Sequence, residues 1–250
     1  MHYYTIPPFE HLELDTVAQH YLVVAQWVEQ SEALLHFYQR RAKEGASIIL
    51  DNGVHEYRTV YPIEKYLAMA KDIGVEVIVA PDVWGDADGT VEAALDFYHS
   101  LSVGEQDMVM GVPHGKNLFE FMQCFSEMDE FNIIGLSKDE WGDKTGYIRP
   151  WFTHFMGEED ANTDRFHLLG LTHIKELLYC NPQTTRSFDT SLPWKAAMMN
   201  IKINGECSVS GEYKVRDVMT PQQQKIAQFN LNELRYLAQK SKTNLWKKIS

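Results

Sequence analysis

A repeated alternation constrains this chain more than any other feature. Short runs of β-branched and other apolar residues each lead into a polar or Gly/Pro turn, and then into a stretch with helical spacing. The runs fall at 21–25, 47–50, 75–80, 108–112, 132–136, 166–171 and 187–190, with starts 21 to 34 residues apart. That spacing fits one strand, one helix and two connections. Runs such as SIIL, VEVIVA and NIIGL are nearly continuous in apolar residues, as expected of parallel strands covered on both faces. The spacing predicts helices between them. Ser31 is placed to cap SEALLHFYQRRAKEG, which Gly45 ends. IEKYLAMAKDIG closes at Gly74, TVEAALDFYHSL starts near Thr90, and NLFEFMQCFSEM and HIKELLYC follow.

Repeated βα units define the α/β class, and seven or eight of about 30 residues match a (β/α)8 barrel of TIM type. The reading is one domain over 1–250, with a barrel core at about 20–200 and an extension over 201–250. Only seven strands are evident. The eighth unit is expected to be irregular, because IKINGECSVSGEYKV reads as a hairpin with Asn204–Gly205 at its turn. The tail from Pro221 reads as a helix with a basic end.

Composition excludes several classes. No stretch approaches 18 apolar residues, so no membrane span is expected, and the first residues lack the pattern of a secretory signal. Cys124, Cys180 and Cys207 are the only cysteines, and none lies close to another. A disulfide framework and a Cys-rich zinc site are therefore not expected, and a reducing cytoplasm fits. With 23 Lys+Arg against 35 Asp+Glu the net charge is −12, so there is no overall basic footprint for nucleic acid. GxGxxG and GxxxxGK[ST] are absent, which removes those nucleotide-binding signatures. The histidines show no H-x-x-x-H spacing, and the Asp86/Asp88 pair is at most half a calcium loop.

In a barrel, chemistry gathers where strands end. Here those ends carry Asp51 in ILDNG, Asp82 in VIVAPD, His114 in GVPHG, Gly135–Leu136 in IIGLS and Asp189 in SFDTS. Each has a plain alternative. Asp51 and Asp189 could start turns, and His114 could be a solvated loop residue. As a set on one rim they point to a site, since several carboxylates brought together are costly unless used.

In these residues the chain resembles the tRNA-guanine transglycosylase superfamily, and within it the short phage-type members related to DNA-guanine transglycosylases. The resemblance runs from about Tyr21 to Ala197 and rests on IILDNGVHE, VIVAPDVWGD, MGVPHGK, IIGLS, FHLLGL and SFDTSLPW in that order. It implies a (β/α)8 barrel that replaces guanine in a nucleic acid by a 7-deazaguanine base, such as 7-cyano-7-deazaguanine. It implies Asp189 as the nucleophile and Asp51 as a general acid/base or positioning group. Asp82 would read the guanine edge, with Gly135, Leu136, Leu169 and Gly170 lining the base site. His114 stands where the family usually has Gln.

The residue types suit that chemistry. A carboxylate can trap an oxocarbenium-like sugar, a second can manage protons, and a third can accept N–H bonds from a base edge. Trp84 and Trp194 are candidate stacking residues. No structural zinc is expected, because the family's Cys-rich motif is missing, and no cofactor is implied. DNA is the expected partner, with tRNA or a free nucleoside as alternatives and a non-catalytic deazapurine-binding barrel as another. Arg149, Lys195, Lys202, Lys214, Arg216, Lys240, Lys242, Lys247 and Lys248 are candidates for a local basic strip. Duplex DNA would have to flip its target base out.

Overall fold

Eight parallel strands follow one another round a closed barrel in chain order, β1 to β8, in a computed structural model. The structure describes residues 1–15, 17–138, 148–159, 164–204, 209 and 213–241. The strands are β1 (His2–Thr5), β2 (His20–Val24), β3 (Ser47–Asp51), β4 (Val77–Val79), β5 (Val109–Gly111), β6 (Ile133–Ser137), β7 (Phe166–Leu169) and β8 (Thr185–Thr190). Helices alternate with them, so the (β/α)8 expectation holds. Among the described residues no helix is long and apolar enough to cross a membrane.

The seven strands read from sequence are β2 to β8. The eighth is β1, at the opposite end of the chain from the hairpin expected over 201–215. HYYT has no apolar β-branched run to mark it, yet Tyr3 and Tyr4 are buried and the strand pairs in parallel with β8, Tyr4 beside Asp189. The barrel therefore begins at His2 rather than near residue 20. Of the expected hairpin, residues 205–208 and 210–212 lie outside the described residues, and the described ones carry no strand.

The chain divides into two compact units. Gln19–Gly142 holds β2 to β6 with α1 (Ala25–Glu29), α2 (Glu32–Lys43), α3 (Val54–Tyr57), α4 (Ile63–Ile73), α5 (Ala87–Ser100), α6 (Val103–Gln106) and α7 (Leu118–Glu127). Local chemistry sets the helix ends. Ser31 Oγ accepts from Leu34 N–H at 3.3 Å, Asn117 Oδ1 from Glu120 N–H at 3.0 Å, and Gly74 ends α4 at φ 81°. Helix α5 starts before Thr90, because the Asp86 carboxylate caps it by accepting from Gly89 N–H. Asp86 is thus a helix cap. The Tyr66 hydroxyl, buried under α4, lies 2.6 Å from the Leu50 carbonyl and accepts Val79 N–H at 3.0 Å, tying β3 to β4. Burial raises its pKa well above the ordinary phenol value, and the Asp51 and Asp82 charges add to the rise.

Met1–Ala18 and Asp143–Ser250 form the other unit, with β1, β7, β8, a 3-10 segment (Phe9–Asp15), α8 (Ile148–Glu159), α9 (Glu176–Tyr179), α10 (Leu192–Met198) and α11 (Pro221–Ser241). Helix α11 is part of the packed wall. It lies on α10 and also touches α9, β1 and the 3-10 segment. Asn230, fully buried on it, donates to the Pro193 and Ile201 carbonyls and accepts Ile203 N–H at 2.9 Å. Arg235 of α11 bonds the buried Asp15. Strand alternation sorts β8: Phe188 stacks on Tyr3, while Ser187 and Asp189 share the other face. Lys242, Lys247 and Lys248 lie outside the described residues.

Candidate functional site

The first polar cluster forms where β3, β4 and β5 end. Asp82 follows Ala80–Pro81, past the last residue of β4, and is 7% exposed. Both its oxygens are engaged. Oδ1 accepts from Asn52 Nδ2 at 2.9 Å, and Oδ2 lies 2.7 Å from His114 Nε2. Asn52 also donates to the Ala80 carbonyl at 2.6 Å and accepts Val54 N–H at 2.9 Å, so the β3–α3 turn fixes it. That turn is tight. Gly53 sits at φ 77°, and a Cβ there would come within 2.2 Å of Gln26 Oε1. Asp51 Oδ1 accepts Gly53 N–H at 2.6 Å, which is the local turn its sequence context allowed.

His114 is 1% exposed, so it is not a solvated loop residue. Its neighbour Gly115 lies so close to α7 that a Cβ would come within 2.3 Å of Phe121 N, and the His114 N–H points at Cys124 Sγ. The close approach of Gly115 to α7 sets the backbone from which the imidazole reaches Asp82. Each carboxylate oxygen has a second lone pair, so Asp82 can still accept N–H donors from a ligand edge.

Trp84 stands beside this cluster, its ring centroid 5.5 Å from that of His114. Thr90 Oγ1 bonds both Val83 N–H and the Val83 carbonyl, which anchors the loop that carries the indole. The indole is 37% exposed. His55 lies 5.3 Å away, and the exposed Arg58 guanidinium sits 4.1 Å from the indole centroid.

The second cluster belongs to β7 and β8. Asp189 is 3% exposed. Its Oδ1 accepts Gly170 N–H at 2.9 Å and lies 3.1 Å from His167 Nε2. Oδ2 carries no hydrogen bond among the described residues. His167 Nδ1 is 2.7 Å from Ser187 Oγ, and Tyr4 packs edge-on against the imidazole. The carboxylate accepts from Nε2, and Nδ1 pairs with the Ser187 hydroxyl. Gly170, at φ 63°, takes the left-handed turn that aims its N–H at Asp189. The Leu169 carbonyl accepts from Arg149 Nη1 at 2.6 Å.

The remaining expected site residues fall into place or out of it. Gly135 and Leu136 are buried within β6. Trp194 is fully buried on α10, and its indole N–H donates to Thr5 Oγ1 at 3.1 Å. It packs the wall, so the stacking role expected of it is withdrawn. Arg149 is buried too, bonded through Nε and Nη2 to Glu176 Oε2 at 2.9 and 2.5 Å. Burial raises the Glu176 pKa against the pull of Arg149. A guanidinium spent this way leaves the basic strip. Lys202 and Arg216 are exposed, stacked on Phe229 and Phe9.

Three members of these clusters were missed: Asn52, His167 and Ser187. Ser187 had a usable signal, standing two residues before Asp189 on the same strand face. Among the described residues no group of three or more His, Cys, Asp or Glu side chains is arranged to hold a metal. Chemically, the first cluster offers a buried acceptor backed by two donors. The second offers a carboxylate with one oxygen pinned and one open. The fold defines a (β/α)8 barrel with polar clusters at its strand ends. Comparison with protein-family models finds no match for this chain, and comparison with the curated proteins finds none either.

Proposed function

We propose that this barrel is a guanine transglycosylase that exchanges guanine in DNA for a 7-deazaguanine base. One observation carries the reading: the unequal engagement of the Asp189 oxygens. Gly170 N–H and His167 hold Oδ1, which fixes the carboxylate plane and leaves Oδ2 to attack. In the proposed reaction Oδ2 bonds to C1′ as the C1′–N9 bond breaks, and guanine leaves after taking up a proton. The glycosyl ester so formed is then attacked by N9 of the 7-deazaguanine, which gives up its proton as Asp189 is released. Asp51 is assigned to proton transfer at the base. Asp82, held by Asn52 and His114, accepts the N–H donors of the guanine edge.

The test is base exchange. The protein is incubated with labelled guanine and, separately, with single-stranded DNA, duplex DNA, tRNA and guanosine. Label in DNA, with a DNA adduct that survives denaturation and disappears in Asp189→Asn, is the expected result. Label in tRNA or guanosine alone replaces the DNA assignment, and label in no acceptor overturns the reaction.

A further inference from the structure

We infer that Arg58, stacked on Trp84, forms a phosphate subsite that takes a backbone phosphodiester next to the nucleotide whose base lies at Asp82. The inference rests on the base-exchange reading only for what occupies Asp82. The first observation is connectivity. Asp82 bonds His114, the His114 ring lies 5.5 Å from that of Trp84, and the Arg58 guanidinium lies 4.1 Å from the indole centroid. These contacts connect a buried carboxylate to an exposed cation, the two ends at which a nucleotide entering base-first would place its base and a phosphate.

The second observation is charge. The chain carries 35 Asp+Glu against 23 Lys+Arg, yet Arg58 makes no ion pair among the described residues. His55 and His114 contact the same indole. One ring thus gathers a guanidinium and two imidazoles, of which that of His114 is already bonded to Asp82. The indole face holds the guanidinium plane and leaves its edge N–H groups for a bidentate anion. The third observation is backbone. Arg58 ends α3 at φ 55°, in the left-handed region that glycine fills without strain. The arginine stands where glycine suits the backbone better, so its side chain is the reason to look for a role.

A phosphodiester and a mononucleotide share this chemistry, and the polynucleotide is the committed source. Duplex DNA with its target base flipped out, or a single strand, brings a phosphate on each side of the nucleoside.

The experiment measures fluorescence anisotropy of a labelled single-stranded oligodeoxynucleotide containing one guanine, across a series of KCl concentrations. Wild type is compared with Arg58→Gly, which suits the local φ and preserves the fold, and with Arg58→Lys. Arg58→Gly is expected to weaken binding about tenfold, the scale of one hydrogen bond to a charged group. The slope of log affinity against log salt is expected to fall by about 0.7, the contribution of one phosphate on a single strand. Arg58→Lys keeps the salt slope and recovers part of the affinity. dGMP and inorganic phosphate compete weakly.

Wild-type protein that does not bind the oligonucleotide overturns the inference, as does Arg58→Gly with unchanged affinity. A lost affinity with an unchanged salt slope also overturns it, because the guanidinium would then act only by packing on Trp84. Competition by dGMP equal to that of the oligonucleotide overturns the polynucleotide assignment. Asp189→Asn separates the two proposals. It removes covalent trapping if the reaction is right and leaves the Arg58 salt slope in place whether or not it is.

Discussion

Asp82 and Asp189 are buried carboxylates at the ends of parallel strands, yet their hydrogen bonds are distributed differently. Both Asp82 oxygens have partners, Asn52 on one side and His114 on the other. Asp189 has both its partners on one oxygen, a backbone N–H and an imidazole. Charge-assisted bonds to both oxygens stabilise a carboxylate as an acceptor and lower its reactivity. Bonds to one oxygen fix orientation and leave the other lone pairs reactive. Strand position alone therefore does not distinguish the two carboxylates, whereas the donor arrangement around each does.

The sharpest way to break this comparison is at Asp189. Asp189→Asn should lower base exchange by at least about a thousandfold and abolish the denaturation-stable adduct, measured by gel shift of labelled DNA. Equal losses from Asp82→Asn and Asp189→Asn, with the adduct still forming in the latter, would erase the distinction.

His167 comes next. His167→Phe removes one of the two groups that orient Asp189 and should cut kcat about a hundredfold, the cost of a small misplacement. KM should change little, and His167→Gln should recover part of the loss by restoring a donor. Steady-state kinetics on the three proteins decide it, and a loss confined to KM would move His167 from orientation to binding.

His114 tests the other side. His114→Leu leaves one Asp82 oxygen unpaired in a buried site, at a cost of about 1–3 kcal/mol in stability read by chemical denaturation. His114→Gln keeps a donor and should cost less. Under the proposed reaction its main effect is on KM for the incoming base.

The smallest effect lies away from both carboxylates, inside the unit that carries Asp189. His11 Nε2 accepts Met219 N–H at 2.7 Å, and burial lowers its pKa below 6.5. As pH falls through 6.5 the unfolded chain takes up this proton before the folded one, so stability declines from neutral pH downward. Thermal melts at pH 7.5 and 5.5 should show a drop that His11→Gln reduces by a few degrees.

Much of the fold could be read from the sequence. Strands β2 to β7 announce themselves as short apolar runs at regular spacing, and SFDT of β8 follows in the same series. Strand β1 does not, because HYYT is four residues of mixed polarity just ahead of Pro7 and Pro8, and its partner β8 lies at a distant point of the sequence. The carboxylates at strand ends were legible for the same reason as the strands. Their partners were not. Asn52 and His114 reach Asp82 from 30 and 32 positions away, and His167 reaches Asp189 across 22. Only the barrel register brings them together. Trp194 misled because nearness to Asp189 in sequence says nothing of direction, and the first turn of α10 points the indole back at Thr5. Arg149 misled because a cation in sequence does not reveal the buried Glu176 that consumes it.

Strand β1 also has a kinetic consequence. Tyr3 meets Thr190, 187 positions later, so the ring closes through one of the most distant pairings the chain can make. Contacts of such sequence separation form slowly, because loop-closure entropy must be overcome before they stabilise anything. A nascent chain halted before residue 185 would hold every residue of the Asp82 cluster but lack the strand bearing Asp189. Synthesis order thus places Asp189 only when the last strand is in place; under the proposed reaction an unfinished product has no nucleophile.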